Sequence, residues 1–155
     1  MNKNLFVRKS KFFAIAAVAS IFLGGIFVSA PQALAATITS NGTGGGAWTT
    51  AGTWAGGVVP LATDTVVIAS GDTVTTGGNR TCAGITINGT LSMASGNILT
   101  VNGDVSGTGT WITGTANNAR TISLSGNWSF NGTSDGSRAA ATFTGSGAQI
   151  LSGII

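Results

Sequence analysis

One short pattern constrains this chain more than any other feature. Residues 85–92 read ITINGTLS, residues 99–106 read LTVNGDVS and residues 122–129 read ISLSGNWS. Each runs apolar, polar, apolar, polar, Gly, polar, apolar, Ser. A looser copy, VVIASGDTV, occupies 66–74, and ATFTGSGA occupies 141–148 with its last apolar position weakened. Alternation with a period of two is a strand signal, because successive side chains point to opposite faces. A Gly after two inward positions marks a corner, where the backbone needs φ > 0 or leaves no room for a Cβ. The next strand then turns its first apolar residue inward.

The pattern glycines are Gly71, Gly89, Gly103, Gly126 and Gly145, spaced 18, 14, 23 and 19 residues apart. That spacing approaches one turn of a stacked solenoid. The spacing therefore predicts an all-β chain, a right-handed parallel β-helix of about four to five turns. An antiparallel β-sandwich is the alternative, since hairpin turns also recur at short intervals. Strands are expected at Thr65–Ala69, Thr73–Thr75, Ile85–Ile87, Thr90–Met93, Ile98–Val101, Thr110–Thr113, Thr121–Leu124, Asn127–Phe130 and Ala141–Thr144. Asn88, Asn102, Ser125 and Thr144 each precede a pattern Gly. If they align at one corner, their side chains stack into a hydrogen-bonded ladder between turns.

Three segments follow. Residues 1–35 read as a secretory signal peptide. Lys3, Arg8, Lys9 and Lys11 form a positive start, Phe12–Val28 is an apolar run, and Ala33-Leu34-Ala35 is a small-x-small cleavage site. The apolar run has 17 residues and contains Gly24-Gly25, short for a membrane span. Residues 36–63 are rich in Gly and Thr and hold Trp48 and Trp54. This segment is expected to cap the first turn, with the tryptophans as its packing mass. Residues 64–155 are expected to be the solenoid repeats, truncated or open at the C-terminus.

Charge excludes several functions. Beyond residue 35 the chain has three arginines (Arg80, Arg120, Arg138) and four aspartates (Asp64, Asp72, Asp104, Asp135), with no His, Lys, Glu or Tyr. A nucleic-acid partner requires a basic stripe, and there is none. Ser–His or Cys–His nucleophilic chemistry lacks its base. Zinc lacks its ligands, since Cys82 is the one cysteine. Cys82 is expected to pack as a small apolar side chain. Asp72 and Asp104 both lie beside pattern glycines. They either solvate turns or sit on one face as a carboxylate pair. No cofactor, metal or catalytic residue is expected. Trp111 is the candidate glycan contact and Trp128 is expected to point inward.

Some longer runs resemble known proteins. Trp54-Ala-Gly-Gly-Val-Val-Pro, then Asp64-Thr-Val-Val-Ile-Ala-Ser-Gly-Asp-Thr-Val, then Ile85-Thr-Ile-Asn-Gly-Thr-Leu, resemble the start of secreted bacterial right-handed parallel β-helix proteins. They are also similar to the opening of the extracellular eight-glycine domain. Ala141-Thr-Phe-Thr-Gly-Ser-Gly-Ala-Gln-Ile-Leu-Ser-Gly resembles a motif of long bacterial surface β-solenoids. The resemblance covers most of 48–155 and implies a secreted or cell-surface protein, often adhesive and sometimes acting on carbohydrate. It carries over no catalytic residue.

The expected function is a secreted or cell-surface structural and adhesive module. Its expected partners are surface glycans or further β-solenoid segments, and it meets a membrane only through the leader before cleavage. The alternatives are a carbohydrate-binding module that uses Trp111, and the N-terminal part of a polysaccharide-degrading β-helix enzyme.

Overall fold

The computed structural model describes residues 34–112, 119–134 and 139–153. The leader lies outside them apart from Leu34 and Ala35, so Ala33 of the expected cleavage site is not described. No helix among the described residues is long and apolar enough to cross a membrane.

The described residues form fourteen short strands: β1 (Thr37–Thr39), β2 (Gly45–Ala47), β3 (Thr65–Ile68), β4 (Thr73–Thr75), β5 (Arg80–Cys82), β6 (Gly84–Ile87), β7 (Thr90–Ser92), β8 (Ile98–Val101), β9 (Val105–Gly107), β10 (Thr110–Ile112), β11 (Arg120–Leu124), β12 (Trp128–Phe130), β13 (Thr133–Ser134) and β14 (Ala139–Phe143). They sort into three sheets. The first has order β1-β3-β6-β9-β12, the second β13-β10-β7-β4-β2 and the third β14-β11-β8-β5. Every ladder between these strands is parallel. A sandwich of hairpins would pair neighbours in sequence antiparallel. Here consecutive strands lie in different sheets and each strand pairs with its equivalent one turn away. The fold is a parallel β-helix, with three strands and three corners per turn. From β3 to β12 the chain makes three full turns, with partial turns on either side.

The register stacks like on like. Ile38, Val66, Ile85, Val105 and Trp128 form one inward column of the first sheet. Val74, Leu91 and Trp111 form an inward column of the second. Cys82, Val101, Leu124 and Phe143 do so in the third. Most of these side chains are fully buried. Each apolar residue thus packs against its equivalents above and below, and burying one fully contributes about 1.5–3 kcal/mol.

The repeat spacing needs a correction. The recurring pattern marks two different corners. Gly71 and Gly89 lie between strands of the first and second sheets, whereas Gly103, Gly126 and Gly145 lie at or beyond the end of third-sheet strands. Glycine spacing therefore mixes whole turns with parts of turns, and the 14-residue step joins unlike corners. The true offset between stacked residues varies from turn to turn, 17 for Thr73 and Thr90, 20 for Thr86 and Ser106 and 23 for Val105 and Trp128. Each full turn holds three strands, and β5 and β13 lack the alternating apolar signal that marks most of the others.

Gly71 takes a φ of +88° with open space around it, whereas the other four pattern glycines are required by close approach between turns. A Cβ on Gly89 would lie 2.2 Å from the Ala69 carbonyl oxygen, and one on Gly103 would lie 2.4 Å from that of Ala83. Neither distance is tolerable for a side chain, so the turns stack tightly only where no Cβ intervenes.

Candidate functional site

Residues 36–63 supply β1, β2 and two short 3-10 turns, Ala51–Thr53 and Ala55–Gly57. They run below the first full turn but give a strand to only two of the three sheets. Trp48 and Trp54 are each 2% exposed and meet edge to face, with ring centroids 5.3 Å apart. The Trp54 Nε1–H donates to the Trp48 carbonyl at 2.8 Å.

Two buried carboxylates fix this segment to the turn above. Asp64 Oδ1 accepts from the Ala36 N–H at 2.9 Å and Oδ2 from the Leu61 N–H at 2.8 Å. Asp72 accepts from the N–H groups of Gly42 and Gly44, both at 2.8 Å. The Ser40 hydroxyl, which accepts from the Ala69 N–H, also bonds the Asp72 carboxylate. The Ser40 bond holds Asp72 below the usual carboxylate range. Burial pushes the other way, and the Gly42 and Gly44 N–H groups reinforce the lowering.

The expected ladder does not form as a single column. Asn88 and Gly89 sit at the first-to-second-sheet corner. Asn102 with Gly103, Ser125 with Gly126, and Thr144 with Gly145 follow third-sheet strands. All four polar residues are exposed. Thr144 donates its hydroxyl to the Leu124 carbonyl at 3.1 Å, a bond to backbone rather than to a neighbouring side chain. Side chains that follow the Gly also bridge turns, and they accept from backbone N–H groups. Asp104 Oδ1 accepts from the Asn127 N–H one turn on at 2.6 Å, and Asn127 Oδ1 accepts from the Ile150 N–H at 2.8 Å. Asp72 follows Gly71 in the same way. The signal lay in the Gly-Asp and Gly-Asn dipeptides. A short carboxylate or amide acts there as a substitute carbonyl where the backbone bends away from its neighbour.

Trp111 is also corrected. It is 2% exposed, on the inward column beside Leu91, and its ring lies 6.2 Å from that of Trp128. Thr110 and Ile112 take the outward positions on either side, so strand alternation turns Trp111 into the core. Trp128 is inward as expected, 5.8 Å from Phe130. No tryptophan among the four offers an exposed platform.

Cys82 is fully buried on β5, and burial pushes its thiol up to about 12. It is a packing residue. Asp72 and Asp104 occupy different corners, and Asp64 and Asp72 are committed to backbone N–H groups. The described residues hold no group of three potential metal ligands.

Among the described residues, the outer surface and its depressions are open to recognition. Outward positions form columns of short hydroxyl side chains. In the second sheet Thr73, Thr90, Thr110 and Thr133 stack in register. In the third, Thr81, Thr100, Ser123 and Thr142 do so. In the first, Thr86 and Ser106 hydroxyls lie 3.0 Å apart. Parallel strands set such groups about 4.8 Å apart along the stack. A shallow notch of about 360 Å³ opens over Gly84, walled by Thr65, Thr86, Asp104 and Ser106. A second cleft of about 300 Å³ lies between the 58–62 loop and β5. No family model, curated protein or solved structure matches the chain.

Proposed function

We propose that the chain is a secreted or cell-surface structural and adhesive β-solenoid module. The observation that carries this reading is the unbroken column Thr73, Thr90, Thr110 and Thr133 on the outside of the second sheet. None of its outward strand positions is charged. Threonine is stiff at χ1, so a register-locked column presents hydroxyls already ordered, and each contact to a surface loses little side-chain freedom. Single hydrogen bonds to a hydrated surface are weak. A repeated column makes many at once, and linked weak contacts add as avidity. Stacked turns also give the stiffness that a spacer or display element needs. Sequence supports export through the leader at residues 1–35, and the exposed apolar side chains of Phe143, Ile150 and Leu151 support docking of further β-solenoid segments.

The test has two readouts. Intact-mass analysis of the exported product should show a chain beginning at Ala36. Retention on insoluble envelope polysaccharide should fall at least about fivefold in a Thr90→Ala, Thr110→Ala, Thr133→Ala variant whose melting temperature stays within a few degrees. Unchanged retention would remove the hydroxyl column as the adhesive face.

A further inference from the structure

The cleft between the 58–62 loop and β5 has a specific origin. The cap contributes β1 to the first sheet and β2 to the second, but nothing to the third, so β5 is that sheet's edge. Arg80 occupies an inward register position on this edge, in line with buried Leu99 and, one turn further, Ile122. With no strand beneath it, the side chain is half-exposed and lines the cleft.

Its guanidinium is held but not satisfied. Arg80 Nε donates to the Thr76 carbonyl at 2.7 Å. The terminal Nη groups have no partner among the described residues, and no carboxylate there pairs with the charge. Gly77 and Gly78 put no side chain over it. A Cβ on either would fall only 3.7–3.9 Å from Nη2, so that flank stays open. A fixed guanidinium fork with free terminal N–H groups matches the two oxygens of a carboxylate. The rest of the lining is mixed. Val59, Pro60 and Leu61 form an apolar wall, and Thr49 and Thr81 contribute hydroxyls. A volume of about 300 Å³ is at the small end for ligand sites and suits one or two sugar rings.

We propose that this cleft binds a uronic acid unit of a polysaccharide, its carboxylate on the Arg80 fork, its ring face on the Val59–Leu61 wall and its hydroxyls toward Thr49 and Thr81. A peptide added as a strand to β5 is the competing ligand. It would need a run of free backbone groups along that edge. The edge is only three residues long, and just beyond it the Ala83 N–H is already bonded to the Asp64 carbonyl. Thr81 belongs to the third-sheet hydroxyl column, but the site shares no residue with the second-sheet column Thr73, Thr90, Thr110 and Thr133, so it stands or falls independently of adhesion through that column.

The experiment is a titration of the 15N-labelled chain beginning at Ala36, followed at the Arg80 Nε–H resonance. Sodium glucuronate should shift it saturably, with a Kd of about 1 mM. Glucose should shift it at least about tenfold less. Arg80→Lys, which keeps the charge but loses the fork, should weaken glucuronate binding about fivefold or more. Leu61→Asp puts a negative charge on the exposed rim, leaves the Thr76 bond intact and should abolish binding. An equal response to glucose would overturn the proposal, as would an equal response to acetate or a larger one to a short peptide's C-terminal carboxylate. So would the absence of any shift at 10-fold the expected Kd.

Discussion

The two ends of the described solenoid solve the same problem with different chemistry. Each turn buries its inward residues against the turns above and below, so an end turn lacks one set of neighbours. At the N-terminal end the gap is closed by a segment that is mostly not strand. Trp48 and Trp54 fill the space, and Asp64 and Asp72 accept the N–H groups that no ladder receives. At the other end the last pass is apolar and open. Phe143, Ile150 and Leu151 are 37%, 67% and 51% exposed, and Leu151 joins the stack by a single bridge to Trp128. An irregular cap needs acceptors built from side chains, because its backbone no longer runs parallel to the strand it covers. The open end uses one such acceptor too, Asn127 Oδ1 for the Ile150 N–H, but its exposed apolar edge keeps the capacity to pair with another strand.

The largest expected effect tests the carboxylate at the closed end. Asp72→Ala removes the acceptor of two backbone N–H groups and of the Ser40 hydroxyl. Unfolding by urea should show a loss of about 3 kcal/mol, the cost of stranding several donors around a formerly charged acceptor. Asp104→Ala, which frees one N–H at an exposed corner, should cost under about 1 kcal/mol. Equal losses would mean that the closed end owes nothing special to its carboxylates. The acid limb gives a second measure. Asp72 is lowered from its ordinary 3.8, so its contribution is complete above that value and is lost as pH falls through the folded-state value. The stability of Asp72→Asn should therefore vary less with pH below 3.8 than that of the parent chain.

The tryptophans offer an intermediate contrast. Trp54 donates to a backbone carbonyl, whereas Trp111 Nε1 lies 3.1 Å from the Met93 sulfur, a weak acceptor. Both rings are buried to the same degree. Trp54→Phe should cost about 1 kcal/mol more than Trp111→Phe, because it also leaves the Trp48 carbonyl without its donor. Thermal melts of the two variants decide it.

Much of this was legible because a solenoid writes its inside in period-two alternation. Val66 and Ile68, Ile85 and Ile87, Leu99 and Val101, and Ile122 and Leu124 are inward pairs visible in the sequence, and all are buried. What was not legible depends on register. Asn88-Gly89 and Asn102-Gly103 look identical as dipeptides, yet they occupy different corners, because a short strand-corner-strand unit fits two of the three corners of a turn. Trp111 follows the same alternation, but its neighbours Thr110 and Ile112 differ in polarity, which hid its inward direction. β5 escaped notice because its inward residues are Arg80 and Cys82. The cleft beside Arg80 exists only because a sheet lacks a cap strand, and no local pattern encodes a missing neighbour.

A small effect on folding is expected at the open end. Leu151→Ser removes an apolar side chain that is already half in water, so only about half of a full burial is lost and the unfolding free energy should change by about 1 kcal/mol. Its consequence should appear between molecules. An apolar strand edge that stacks on another β segment loses contact area when Leu151 is replaced. Sedimentation velocity across a concentration series should then show weaker self-association of the variant than of the parent, with the two melting within a few degrees of each other. A drop in stability as large as that of Trp54→Phe would show Leu151 to be core rather than edge. The two ends would then differ in composition but not in kind.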